Sequence, residues 1–356
     1  MHRILVVDDS SFMRHLIKRY IEEDPKLIVV GEAKNGEEAI AEALRLRPDV
    51  ITMDVEMPGM DGLTALSEIM RRVPTPVIIL SSIQKFGGEE TILALQRGAV
   101  DFVAKPSGEL SADIYKVKSE LCEKIKNAAG APIQRLLKLA GVPQAQPATQ
   151  PQLRKTSLAA SIVRELIAVG SSTGGPQALT VLLKSLPASF EHPIVIVQHM
   201  PATFTASLAQ RLDGVSAVKV VEAKDKQPLV NGTVFIAPGD SHMNVEEKDG
   251  GYFIKLHQKP LAGLHCPSVD ELFRSVAELR ELKRHFVLLT GMGSDGAEQM
   301  LQARKAKQAA TTIAEAKETC IVYGMPKAAV DRGAVDYVLP IEQIGRKLLD
   351  VTRGRT

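Results

Sequence analysis

The chain has 356 residues, 45% hydrophobic but only 4% aromatic, with a formal net charge of +2. That length suits two ordinary domains and a connector, and the near-neutral charge gives no ground for a nucleic-acid or anionic-membrane partner. Three cysteines with no CxxC pair argue against a disulfide framework or a structural zinc site, and no apolar run is long enough to span a membrane. Asp8 and Asp9 fall too early for a signal peptide, so a soluble cytoplasmic protein is expected.

In chain order, RILVV (3–7), LIVVGEA (27–33), DVITMD (49–54), PVIILSS (76–82) and AVDFVAK (99–105) read as strands. Between them, segments such as GEEAIAEALRLR and DGLTALSEIMRR place apolar residues at helical spacing. A helix over SADIYKVKSELCEKIKNAA completes a (βα)5 unit with a doubly wound parallel sheet. The texture then changes to Ala, Pro, Gln and Ser, interrupted by a short helix at IQRLLKLA. The chain is therefore divided into a domain over 1–122, a flexible linker over 123–160 and a second domain over 161–356. The second domain repeats the alternation, with strands at LIAVG (166–170), PIVIVQH (193–199), TVFIAPG (233–239), HFVLLTG (285–291) and ATTIAEA (310–316).

In an open parallel sheet the crevice lies beyond the carboxyl ends of the strands. In the first domain those positions hold Asp8, Asp9, Asp54, Ser81 and Lys105, and three carboxylates meeting there call for a hard cation such as Mg2+. VVDDS, DVEMPGMDG, ILSS and DFVAKP resemble a response-regulator receiver domain over about residues 1–120. The resemblance implies that Asp54 accepts a phosphoryl group, with Asp8, Asp9, Asp54 and the Glu56 carbonyl holding Mg2+. Ser81 and Lys105 would contact the phosphate, and Phe102 would be the switch aromatic.

In the second domain the same positions hold Ser171, Ser172 and Thr173 in GSSTGGP, His199 in QHMP and Asp295 in GMGSDGA. Serine, histidine and carboxylate from separate strands can form an acyl-transfer triad, which is defined by geometry and not by order. Backbone amides near Thr173 and Met292 are candidates to face an oxyanion. GSSTG also matches the nucleophile elbow G-x-S-x-G, but the order Ser–His–Asp differs from that of α/β hydrolases. A phosphate loop is disfavoured because no Gly-Lys-Ser/Thr follows. The hydroxyls could simply cap the next helix, and Asp295 could cap the helix at GAEQML. His242 with Asp240, and His265 with Ser268 and Asp270, compete for the histidine and acid positions, and the residues alone do not choose between Ser171 and Ser172 as nucleophile.

GSSTGGP, QHMP, PSVDELFRS, LTGMGSDGA and VYGMP, in this order after a receiver, resemble the chemotaxis response-regulator protein-glutamate methylesterases, the CheB family. The resemblance covers essentially the whole chain, and implies Ser172 as nucleophile, His199 as base and Asp295 as orienting acid. Ser171 stands where Ala is common and Ser294 where Asn is common. The implied reaction is demethylation of glutamate methyl esters, with deamidation of glutamine, on chemoreceptor cytoplasmic helices. A histidine kinase of the chemotaxis pathway would be the phosphodonor, Mg2+ the receiver's cofactor, and the esterase domain would need none. An unphosphorylated receiver is expected to cover the Ser172 crevice.

Overall fold

The computed structural model describes residues 1–81, 88–105, 114–140, 162–258, 265–307 and 309–354. Two compact units divide between Pro143 and Gln144. Among the described residues no helix is long and apolar enough to cross a membrane.

The first unit runs β1 (His2–Val7), α1 (Ser11–Glu22), β2 (Leu27–Ala33), α2 (Gly36–Leu46), β3 (Val50–Asp54), α3 (Gly62–Arg72), β4 (Val77–Ser81), α4 (Glu89–Gln96), β5 (Asp101–Ala104), α5 (Ile114–Ala128) and α6 (Ile133–Ala140). The strands pair in parallel in the order β2-β1-β3-β4-β5. The β-branched runs of β1, β3 and β4 are buried, as strands covered on both faces require. Ser10, Asn35 and Asp61 each accept a backbone N–H in the first turn of the helix they precede, which fixes the starts of α1, α2 and α3.

The helices read at SADIYKVKSELCEKIKNAA and IQRLLKLA are present as α5 and α6, and they occupy part of the span assigned to a linker over 123–160. Ile125 and Ala128 of α5 and Leu136 of α6 are fully buried, and α6 packs beside α3. Residues 123–128 and 133–140 are thus helix, packed through Ile125, Ala128 and Leu136. The rest of that linker, 141–160, lies outside the described residues, as does Ser82 of the fourth expected strand.

The second unit comprises β6 (Glu165–Ser171), α7 (Gly175–Lys184), β7 (Ile194–Gln198), α8 (Ala202–Val215), β8 (Lys219–Glu222), β9 (Thr233–Ile236), β10 (His242–Lys248), β11 (Gly251–His257), α9 (Val269–Glu278), β12 (Lys283–Leu288), α10 (Ala297–Lys305), β13 (Thr311–Glu315), α11 (Met325–Asp331), β14 (Tyr337–Leu339) and α12 (Ile341–Thr352). Seven strands form a sheet in the order β14-β13-β12-β6-β7-β9-β8, with parallel pairing throughout. From β6 the chain winds outward through β7, then returns to lay β12 on the other side of β6. This reversal of strand order opens a crevice at the carboxyl ends of β6, β7 and β12. Leu166, Ala168, Val197, Phe235, Phe286 and Leu288 on one face of the sheet share an apolar cluster with α9 and α10. The alternate residues Ile167, Val169, Ile194, Ile196 and Val287 are buried as well, so the sheet is covered on both faces.

β8, β14, α12 and the antiparallel hairpin β10–β11 were not among the expected elements. The hairpin alternates apolar and charged residues and turns at Asp249 and Gly250, which take φ values of 51° and 75°. Asp-Gly between two alternating segments is a hairpin signal that could have found it.

Candidate active site

At the carboxyl ends of the first sheet, Asp8 and Asp54 are buried and Asp9 is exposed, with potential ligand oxygens within 4.8 Å of one another. The Lys105 ammonium bridges two of them, its Nζ lying 2.7 Å from both Asp8 Oδ2 and Asp54 Oδ2. Burial raises the Asp54 pKa to about 6 against the opposing pull of Lys105, and the charge of Asp8 adds to the rise. Burial works against the charge of Lys105 too, but Asp54 and Asp8 outweigh it and hold its pKa above the ordinary lysine value. One ammonium among three carboxylates leaves the cluster anionic, so the donor set fits a hard divalent cation. The Glu56 backbone N–H donates to Asp54 Oδ1 at 3.3 Å, which sets Glu56 beside the cluster.

Ser81 ends β4, and its hydroxyl accepts from Thr91 Oγ1 at 2.9 Å. Phe102 is buried behind the crevice, where the Lys124 ammonium lies 5.1 Å from its ring and donates to its carbonyl at 2.6 Å. The sequence reading missed Arg14. Its guanidinium donates to the carbonyls of Asp8 (2.7 Å) and Asp9 (3.1 Å) and so fixes the acidic turn.

In the second unit Ser172 follows β6 and His199 follows β7. Ser171 pairs with Gln198 across the two strands, and the His199 N–H donates to the Ser171 carbonyl at 3.0 Å. The segment after β12 completes the crevice. A Cβ added to Gly291 would come within 2.8 Å of the Ser172 Cβ, so the Gly-Met-Gly turn lies directly against Ser172, with Met292 partly exposed within it. Asp295 closes the same segment, and its Oδ2 lies 2.8 Å from His199 Nε2.

Asp295 is also fixed from α9. It accepts from the backbone N–H of Val269 (2.7 Å) and of Asp270 (2.9 Å), and from Ser268 Oγ (3.1 Å). Burial pushes its pKa up, but His199 and these backbone donors more than offset this and hold it at about 2. The expected cap of α10 by Asp295 is therefore not what forms. Asp295 instead accepts from the first N–H groups of α9, whose N-cap is Ser268, and Asp270 accepts from Gly296 N (3.0 Å) and Gln299 N (3.3 Å) at the start of α10. Burial and the nearby Asp295 charge raise Asp270 to about 6.

The two serines differ sharply. Ser171 is fully buried and donates its hydroxyl to Gln198 Oε1 at 2.7 Å, whereas Ser172 is partly exposed. The Gln198 amide nitrogen in turn donates to the carbonyls of Ser172 (2.9 Å) and His199 (3.1 Å), clamping the two loops together. Gly175 makes the clamp possible, since a Cβ there would lie 1.9 Å from Gln198 Oε1. The N-cap position of α7 is not one of the hydroxyl residues of GSSTGGP. Its cap is Gly174, at φ 77°, with no side-chain hydrogen bond. Thr173 is buried, and its carbonyl accepts from Thr290 Oγ1 at 2.9 Å.

His242 begins β10 and stacks on His257 with centroids 5.3 Å apart, and burial lowers its pKa. His265 stacks on the ring of His199, with centroids 4.2 Å apart. The rival segment around His265, Ser268 and Asp270 thus packs against the His199–Asp295 pair. Gln198, Thr290 and the start of α9 are the supporting groups that the sequence reading missed; the N-cap serine ahead of Asp270 and Glu271 was the available signal for the last.

With Asp295 on Nε2, the imidazole carries its proton there, and Nδ1 is the nitrogen left to act as base. That Nδ1 is buried and has no hydrogen-bond partner among the described residues. The arrangement can deprotonate a hydroxyl and stabilise the imidazolium that results.

A family model described as CheB methylesterase matches residues 167–348, and one described as response regulator receiver domain matches residues 4–114. A protein of Geobacillus kaustophilus named protein-glutamate methylesterase/protein-glutamine glutaminase is 45% identical over 352 residues, covering 98% of each chain. Its namesake from Bacillus subtilis is 42% identical over 355 residues, again covering 98% of each. Among solved structures, the CheB methylesterase catalytic domain of Thermotoga maritima is 42% identical, with a TM-score of 0.51, covering 53% of this chain and 100% of that one.

Proposed function

The chain belongs to the CheB methylesterase family, and from that premise we propose that Ser172, His199 and Asp295 hydrolyse methyl esters of glutamate side chains on chemoreceptors under control of the receiver. The observation that carries the site assignment is the 2.8 Å bond from His199 Nε2 to Asp295 Oδ2, at the end of the strand beside the one that delivers Ser172.

His199 Nδ1 takes the proton of Ser172 Oγ as that oxygen bonds to the γ-carbonyl carbon. Asp295 stabilises the imidazolium, and backbone amides beside Ser172 and in the Gly-Met-Gly turn face the oxyanion. Collapse of the adduct breaks the bond to the methoxy oxygen, which leaves as methanol with the proton from His199. Water, deprotonated by His199, then attacks the acyl-serine and releases glutamate. Glutamine passes through the same adduct with ammonia as leaving group, consistent with both activities in the names of the relatives.

In the receiver, Asp54 is the phosphoacceptor and Asp8, Asp9 and the Glu56 carbonyl would complete an Mg2+ site. The ion, when bound, supplies charge that lets an anionic phosphodonor approach a carboxylate. Lys105 holds Asp54 in place and offers its ammonium to the incoming phosphate, with Ser81 beside it. The donor is a histidine kinase of the same pathway, and the protein works in the cytoplasm.

The test is methanol release from a methylated receptor fragment, with and without a small phosphodonor. Wild type is expected to respond to the donor, Asp54→Asn to lose the response, and Ser172→Ala to fall by at least about 10³-fold under both conditions. Near-normal release by Ser172→Ala would remove the nucleophile assignment.

A further inference from the structure

The imidazole of His199 is held in two directions. Its edge is fixed by Asp295, which the first N–H groups of α9 hold in place. One face is covered by His265, whose ring lies 17° from parallel with centroids 4.2 Å apart. His265 precedes Ser268, the N-cap of α9, so one short stretch of chain governs both the edge and the face of the same ring.

A single hydrogen bond at Nε2 leaves an imidazole free to pivot about the axis that passes through it, because the terminal torsion of histidine is broad. A ring stacked at van der Waals distance removes that freedom, since tilting drives one edge into the neighbour. The stack also displaces water from a face that becomes cationic when His199 holds the serine proton, and an aromatic face attracts a cation. That attraction grows as the proton moves, so it favours the transition state over bound substrate.

We propose that His265 is a positioning residue for the base, fixing the plane of the His199 ring for proton transfer from Ser172 to Nδ1. The inference rests on the triad reading above and deepens it.

The experiment measures kcat and KM for methanol release by the full-length, phosphodonor-activated protein, comparing wild type with His265→Ala, His265→Phe and His265→Asn. Loss of the ring in the Ala and Asn variants is expected to lower kcat roughly tenfold with KM within about twofold, and the Phe variant, which restores a flat aromatic face, to recover most of it. If the Ala variant does not fold, the Asn variant carries the same expectation. Unchanged kcat on loss of the ring would overturn the proposal. So would a Phe variant as impaired as the ring-deleted ones, or a loss confined to KM, which would mark a substrate contact. Ser172→Ala in the same assay separates the failures. If it is silent while loss of the His265 ring has no effect, only the positioning role falls; if it is active, the triad reading falls with it.

Discussion

Asp54 closes β3 of the first unit and Asp295 follows β12 of the second, each at the carboxyl end of a parallel sheet, and burial opposes the charge of both. The outcomes are opposite. Asp54 shares Lys105 with Asp8 and receives one long backbone hydrogen bond, and its pKa rises to about 6. Asp295 receives two short backbone N–H bonds and a hydroxyl besides the imidazole, and is held at about 2. The difference lies in who satisfies the oxygens. Where protein donors do so, the carboxylate is a fixed anion suited to orienting a histidine. Where fewer protein donors do so, burial prevails and the carboxyl holds its proton closer to neutral pH, as the proposed acceptor Asp54 does.

The largest expected effect breaks the Asp295 side of this comparison. Asp295→Asn removes the fixed anion, and methanol release is expected to fall by about 10³–10⁴-fold with little change in KM. A loss under tenfold would mean that the carboxylate does not orient the base. Asp295 also adds stability at neutral pH, present above the unfolded value of 3.8 and lost only as pH falls through about 2.

Asp54 has the reverse sign. The folded receiver keeps that proton up to about 6 while the unfolded chain releases it near 3.8, so its contribution favours the fold in acid and is lost as pH rises through 6. Asp54→Asn is therefore expected to stabilise the metal-free receiver at pH 7 by about 1–3 kcal/mol, with the gain gone by pH 4. Denaturant unfolding in chelator at both pH values measures this, and a loss of stability at pH 7 would contradict it.

The smallest effect sharpens the contrast between the two serines. Ser171→Ala leaves Gln198 Oε1 without its donor and is expected to cost about 1–2 kcal/mol of stability. Methanol release should stay within about threefold of wild type, because Gln198 keeps its bonds to the Ser172 and His199 carbonyls. A rate loss approaching that of Ser172→Ala would place Ser171 in the chemistry.

Much of this was legible in the sequence because buried parallel strands read as runs of Val, Ile and Leu, and the residues just past each run share one crevice. That rule brought Asp8, Asp54 and Lys105 together, and it set Ser172, His199 and Asp295 among the candidates of the second crevice, from which the family resemblance singled them out. The supporting groups were harder to read. Gln198 looks like the polar end of a strand, and its three hydrogen bonds exist only because Gly175 leaves space for it. The reciprocal bonding of Asp295 and Asp270 to the first N–H groups of α9 and α10 depends on two helix starts meeting in space, which no local pattern encodes. α12 carried a readable signal, since Ile341, Ile344 and Leu348 follow Pro340 at helical spacing and are all fully buried.

The decisive measurement locates the nucleophile. A fluorophosphonate reacts with a serine that a neighbouring base activates, and the adduct's position can be read by mass spectrometry. The phosphodonor-activated wild type and Ser171→Ala are expected to carry one adduct, on Ser172, and His199→Ala to carry almost none. An adduct on Ser171, or undiminished labelling of Ser172 without the imidazole, would contradict the triad reading.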